Sequence, residues 1–176
     1  MRIRKPEKAN GTRWIQHKSR ALSTLLLGYS AIVTHLELMC SDGSNVKAVD
    51  KQRFHSYVKK LTSFKFVIHM LFYDCLLTPL SSFSCTLQSD SVDLTICIAK
   101  LKSLLSTLDK LKDDSLDTTS ELAKFTASVD WTHNSVEFRG VKLNNVRREI
   151  LDSFCTSRSG YVDAISNCLR SRFDDL

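Results

Sequence analysis

The side chains best suited to chemistry in this sequence gather at its amino-terminal end. Residues 1–20 carry Arg2, Arg4, Lys5, Lys8, Arg13, Lys18 and Arg20 against a single acid, Glu7. That end accounts for the whole formal charge of +6, and residues 21–176 sum to zero. Clustered cations follow a phosphate backbone well, because neutralising phosphates releases condensed counterions. A solvated tail has the same composition, so the arm alone supports both readings. Trp14 stands beside Arg13, just after Gly11-Thr12. It reads either as an apolar anchor for a first helix or as a platform for an unpaired base, with Arg13 on a neighbouring phosphate. A base stacked on an aromatic ring gains about 1–3 kcal/mol, so one such residue matters. Arg13, Trp14, Lys18 and Arg20 form the candidate nucleic-acid-binding set.

Other chemistry is hard to assemble. No C-x-x-C pair, H-E-x-x-H, G-x-S-x-G or Walker-type glycine loop occurs. His35 with Cys40, or Cys75 with Cys85, matches no metal-ligand spacing, and cysteines on apolar helical stripes read as core. His69 lies in an apolar run and reads as a satisfied core or boundary histidine. Asp113, Asp114, Asp117 and Glu121 cluster as a solvated inter-helix loop would. A second group of cations, Lys47, Lys51, Arg53, Lys59, Lys60 and Lys65, reads as the wet face of a helix. It would extend the basic arm only if the fold brought the two together. No cofactor, metal or small-molecule substrate is expected.

Positioning these residues falls to helices. The 176 residues include only 5 Gly and 2 Pro, and neither type occurs from Leu80 to Arg139. Sheet proteins need turn residues every ~8–12 positions, so this stretch excludes an all-β chain. Residues 1–12 are basic and polar with no apolar segment of signal-peptide type, and Cys75, Cys97 and Cys168 fall on apolar stripes. Reduced thiols in a nuclear or cytoplasmic, non-secreted protein are the expectation. The most apolar stretch, Phe64 to Leu80, contains Lys65, His69, Asp74 and Pro79, which suits a core helix better than a membrane span.

Residues 1–12 read as an extended basic arm and 13–176 as one helical domain. Thr12 is placed to cap a first helix through Trp14, Ala21, Leu22 and Leu25, with Gly28 as its stop. Ser30 would cap a second through Ile32, Val33, Leu36 and Met39, and residues 41–45 form a loop. From Asp50, the positions Phe54, Tyr57, Val58, Leu61, Phe64, Ile68, Leu71, Phe72 and Cys75 keep helical spacing, with Thr62-Ser63 as an interruption. Thr78-Pro79 would open a short helix through Leu87. Leu94, Cys97, Leu101, Leu104, Leu108 and Leu111 form a heptad seam, which reads as an intramolecular bundle contact. Thr118 and Glu121 suggest a capping box before Leu122, Phe125 and Val129. Residues 131–143 break the rhythm. Val136, Phe138, Val141 and Leu143 alternate around Arg139-Gly140 as a hairpin-like connection would. A last run carries Val146, Ile150, Phe154, Tyr161, Ile165, Cys168 and Leu169, with Gly160 weakening it. The expected fold is an all-α multi-helix bundle with a short extended segment near 135–143.

The string from Gly11 to Leu22 resembles the "G-T-R-W-x-x-H-x-x-A-L" segment of hAT-superfamily transposases, with Gly11, Thr12, Arg13, Trp14 and His17 in place and Ala21-Leu22 one position later than in that pattern. It is most similar to vertebrate proteins derived from them, of the zinc finger protein 862-like type. The segments from Val58 to Thr62 and from Leu87 to Leu94 resemble that group too. Resemblance to the family implies a helical insertion domain that begins at the R-W motif inside an RNase H-like core. It implies that Trp14, with Arg13 beside it, stabilises a flipped base during DNA hairpin formation. The family's first two catalytic aspartates precede the motif, but residues 1–12 contain no Asp, and no convincing third carboxylate follows before Leu176. Two-metal phosphoryl chemistry needs several converging carboxylates, so this stretch is expected to be non-catalytic. The resemblance and the basic arm together imply a nuclear, DNA-binding, transposon-derived protein. Two alternatives stay open: a helical module for protein interaction or self-association without DNA binding, and an enzyme fragment active only with the rest of its chain.

Overall fold

The computed structural model describes residues 14–41, 43–88, 93–112 and 120–173. The arm at 1–12, Thr12 and Arg13 lie outside them, as do Asp113, Asp114, Asp117 and Thr118. Within the described residues are helices α1 (Trp14–Cys40), α2 (Ala48–Leu61), α3 (Phe64–Leu87), α4 (Leu94–Lys112), α5 (Glu121–Ala127) and α6 (Arg148–Arg172). Between α5 and α6 sits a two-residue-per-strand antiparallel hairpin, β1 (Glu137–Phe138) and β2 (Val141–Lys142). The all-α expectation, with a short extended element near 135–143, holds.

α3 is the central element. Phe64, Val67, Ile68, Met70, Leu71, Phe72, Leu76 and Phe83 are all buried on it, because a helix whose apolar surface is wider than one stripe must be covered by several neighbours. α1 runs along α2 and α3 on one side, while α4, α5 and α6 cover the others. The buried side chains form one continuous cluster that includes residues of α1, α3, α4, α5, the hairpin and α6. By length and composition α1 and α3 would each reach across a membrane, but here α3 is the helix on which the core is built.

The heptad seam of α4 behaves as its spacing requires. Cys97, Leu101, Leu104, Leu108 and Leu111 are buried against α3 and α6, while Leu94, at the first position of the helix, is exposed. Asp93 starts this helix, its carboxylate accepting from the amides of Thr95 and Ile96 at 2.8 and 3.3 Å. At the other end Arg158 of α6, buried, reaches the carbonyl of Lys112 at 3.5 Å and lies 5.7 Å over the Phe154 ring. A cation at the carboxyl end of a helix is favoured by the partial negative charge there. Ser120 caps α5, its Oγ accepting from the Ala123 amide at 3.1 Å.

Three local expectations give way to packing. Gly28 does not end a helix, and Ser30 does not start one; α1 is continuous over 27 residues. The interior glycine costs about 1 kcal/mol, less than the burial of Leu26, Tyr29 and Val33 around it returns. Pro79 lies inside α3, where a proline forfeits one backbone hydrogen bond at about 3 kcal/mol. Leu76 and Phe83, buried on either side of it, hold the helix together. On α6 the inward positions are Phe154, Arg158, Val162 and Ser166, whereas Tyr161 and Cys168 face out. The expected stripe fails at Tyr161 and Cys168, while Ile165 and Leu169 pack, half-buried, against the core as their spacing asks. All six cysteines are free thiols, with Cys97 buried, Cys75 half-buried, and Cys85 and Cys168 exposed.

The hairpin locks two helices together. Arg139 (φ 51°) and Gly140 (φ 76°) are both left-handed, as a two-residue turn matched to the strand twist demands. Phe138 packs on Tyr29 at 5.0 Å and Phe125 at 5.5 Å between ring centroids. Arg139 donates to the Leu26 carbonyl of α1 and, at 2.7 Å, to Glu121 of α5. Burial holds the neighbouring Asp74 carboxyl above its usual range; Glu121 pushes it the same way and Arg139 opposes. The Tyr29 phenol, pushed up to about 12 by burial, donates to the Leu61 carbonyl at 2.9 Å.

Gly160 sits inside α6 with no atom within 4 Å of where a Cβ would stand. Gly160→Ala should raise stability by about 0.5–1 kcal/mol, read as a higher urea midpoint at unchanged slope.

Candidate nucleic-acid interface

Of the four candidate residues, Arg13 lies outside the described residues, and the other three occupy the first two turns of α1. Trp14 is 49% exposed, which argues against its being a core anchor. Lys18, one turn on, places its ammonium 4.8 Å from the centre of the indole ring. A cation over an aromatic face is worth about 0.5–1 kcal/mol at an exposed site. A base stacking on that face would displace the ammonium and free it for a phosphate. Arg20 is exposed, its carbonyl accepting from Thr24 Oγ1 at 2.9 Å. The start of α1 is fastened to the end of α3 by Gln16, whose Nε2 reaches Cys85 Sγ at 3.1 Å.

The second group of cations lies elsewhere. Among them Arg53 pairs with Asp50 at 3.5 Å within α2, and Lys51 donates at 2.8 Å to the Ser41 carbonyl just past the end of α1. Lys59, Lys60 and Lys65 face a cleft where α2 ends and α3 begins. Along α3, at ~1.5 Å per residue, Lys65 is about 30 Å from Cys85 and hence from the Trp14 end. Trp14 and these lysines therefore do not share one local patch. Lys65 instead shares a hollow with Arg147 and Arg148 at the start of α6, two residues the sequence left unassigned, and Lys59 and Lys60 line the hollow next to it.

The cleft consists of two adjoining hollows of about 950 and 610 Å³, which share Ser63, Lys65, His69 and Asn145. A backbone staple builds it. The Asn144 amide donates to the Thr62 carbonyl at 2.8 Å, and the Phe64 amide donates to the Asn144 carbonyl at 3.0 Å. The Asn144 side chain donates to Thr62 Oγ1 at 2.8 Å. These bonds hold the strand-like approach to α6 against the α2–α3 break, so Arg147 and Arg148 arrive beside Lys65. Trp131 adds an apolar brace, edge-on to Phe64 at 6.1 Å with the Arg148 guanidinium 5.3 Å over its ring. His69 meets Phe154 edge-on at 5.2 Å, with Nδ1 2.6 Å from the Lys65 carbonyl. A carbonyl only accepts, so Nδ1 carries a proton and Nε2 is the nitrogen left for another partner.

Glu121 is paired with Arg139, and Asp130 binds the His133 ring at 2.7 Å in an exposed turn, which holds its carboxyl below the usual range. Among the described residues no group of three or more His, Cys, Asp or Glu side chains stands ready to hold a metal ion. Comparison with protein-family models, with curated proteins and with solved structures finds no match in any of the three.

Removing the staple's side chain should loosen the whole corner. Asn144→Ala is expected to cost about 0.5–1.5 kcal/mol, the net worth of one hydrogen bond, because Thr62 Oγ1 loses the Asn144 amide but keeps its bond to the Val58 carbonyl at 2.8 Å. Chemical denaturation followed by circular dichroism measures this.

Proposed function

We propose that this chain is a non-catalytic helical module derived from a hAT-type transposase, and that it binds nucleic acid through the start of α1. The observation that carries the reading is the half-exposed Trp14 with Lys18 stacked on its ring. An indole kept at a helix start, next to seven cations in residues 1–20, has the chemistry to stack an unpaired base and hold its phosphates. The R-W string from Gly11 to Leu22 supports the same assignment, with Arg13 beside the stacked base. A nuclear location follows from that reading.

Fluorescence anisotropy with hairpin, duplex and single-stranded DNA across a salt series tests it. Hairpins with an unpaired base should bind most tightly, and Trp14→Ala should weaken them about tenfold, the equivalent of ~1.4 kcal/mol of stacking. Affinity that is the same for every DNA and blind to Trp14 would sink the proposal.

One observation favours a second reading, a protein-interaction or self-association module. Leu27 and Leu38 are 70% and 61% exposed, and their spacing of three helical turns puts them on one face of α1. Single exposed leucines are ordinary, but two on one stripe of a long helix suit a partner helix. On this reading sedimentation velocity shows a concentration-dependent dimer that Leu27→Ser with Leu38→Ser abolishes. A monomer at all concentrations removes self-association.

A further inference from the structure

We infer that the cleft between the α2–α3 break and the start of α6 is a second, separate binding site for the phosphates of a nucleic-acid strand. The inference rests on the nucleic-acid reading above for the class of ligand, and on its own geometry for the place.

Five cations, Lys59, Lys60, Lys65, Arg147 and Arg148, line the two hollows, and Glu149 is the one carboxylate among the lining residues. None of the five forms an ion pair among the described residues, and what sets them apart is that they line adjoining hollows. Folding has drawn the five together from α2, α3 and α6 and left them uncompensated, at a cost in mutual repulsion that an anion would relieve. Between them the wall combines neutral donors with Phe66, Ile150 and Phe154. Ser63, Asn134, Asn145 and Ser153 offer hydroxyl and amide hydrogens of the kind that contact phosphate oxygens.

The backbone adds to this. α3 and α6 both begin at the cleft, with Ser63 and Arg147 in the cap positions, and neither cap side chain bonds the helix amides. Two long helices therefore bring the positive ends of their dipoles to the same hollow, which reinforces the side-chain charge. Asn134 (φ 49°) and Asn145 (φ 54°), two of the three left-handed non-glycine residues among those described, stand on its rim. Such conformations carry a modest cost that packing around the cleft must hold.

A strand is favoured over a single small anion by extent. The combined hollow is far larger than one phosphate, and its cations are spread over three helices rather than focused on one point. The cleft also lies about 30 Å from Trp14 along α3, so a strand occupying both sites must bridge roughly nine nucleotides at ~3.4 Å each.

The experiment measures binding of a labelled 20-nucleotide single strand to the full chain across a salt series, with two cleft variants and Trp14→Ala in parallel. One variant carries Lys65→Gln, Arg147→Gln and Arg148→Gln; the other carries Lys59→Gln and Lys60→Gln, which leaves the Trp131 stack intact. Each phosphate contact contributes about 0.7 to the slope of log affinity against log salt. The triple variant should lower the magnitude of that slope by about 2 and weaken binding about tenfold or more at ~0.15 M salt; the double variant should lower it by about 1.4. Trp14→Ala should weaken binding with the slope unchanged, so loss of one site is distinguishable from loss of the other. Wild-type affinity and slope in both cleft variants, with circular dichroism showing them folded, overturns the inference whatever Trp14 does. Amide shifts around Ser63 and Arg148 that saturate with inorganic phosphate alone, and that the strand fails to displace, overturn the strand as occupant.

Discussion

The staple between Asn144 and the break at Thr62-Ser63 is the contact on which the rest of the surface depends. A helix of the combined length of α2 and α3 would leave the last hairpin residues nothing to bond. The break exposes the Thr62 carbonyl and the Phe64 amide, and Asn144 satisfies both with its own backbone. An extended backbone brought against a helix interruption obeys the general need to pair buried polar groups. Through it the chain between β2 and α6 is held at one place and in one direction. α6 therefore starts at the head of α3, packs along α4, and brings Arg158 under the end of that helix. Charge at the cleft is a by-product of that geometry.

The opposite end of the molecule is organised differently. There the Gln16–Cys85 contact ties the start of α1 to the end of α3, and the indole of Trp14 stands half in solvent. The two basic regions are thus separated by the length of the central helix, and α3 acts as a spacer between them. A bundle built on one long apolar helix keeps its ends apart more rigidly than a chain of short helices would, because its interior is packed on every side.

How much of this was legible depends on the range of the signal. α4 announces itself because its six seam residues repeat at a fixed period, and five of them are buried as the spacing asks. The hairpin shows in the alternation around Arg139-Gly140, a pair whose glycine suits the left-handed conformations of a tight two-residue turn. The break at Thr62-Ser63 is visible in the same local way. Gly28 and Pro79 mislead because their local costs are real and small beside the long-range burial of Tyr29, Phe72 and Leu76, which periodicity does not weigh. The cleft leaves no local trace. Lys65 and Arg147 lie more than eighty positions apart, and each alone looks like an ordinary surface cation. The R-W string, by contrast, was readable at once as a resemblance, and the structure adds only that its tryptophan is open to solvent and partnered by Lys18.

α2 contributes Lys59 and Lys60 to the cleft yet has no fully buried residue, and it lies mainly against α1. A helix so lightly anchored sits at the low end of the range of local opening free energies within a fold. One wall of the cleft therefore belongs to the α3–α6 framework and the other to a helix with no buried anchor of its own. Anything that grips both walls must supply the ordering of α2 out of its own contact energy, and a partner that pinned α2 from the α1 side would return that cost as tighter gripping, with no change in the shape of the cleft.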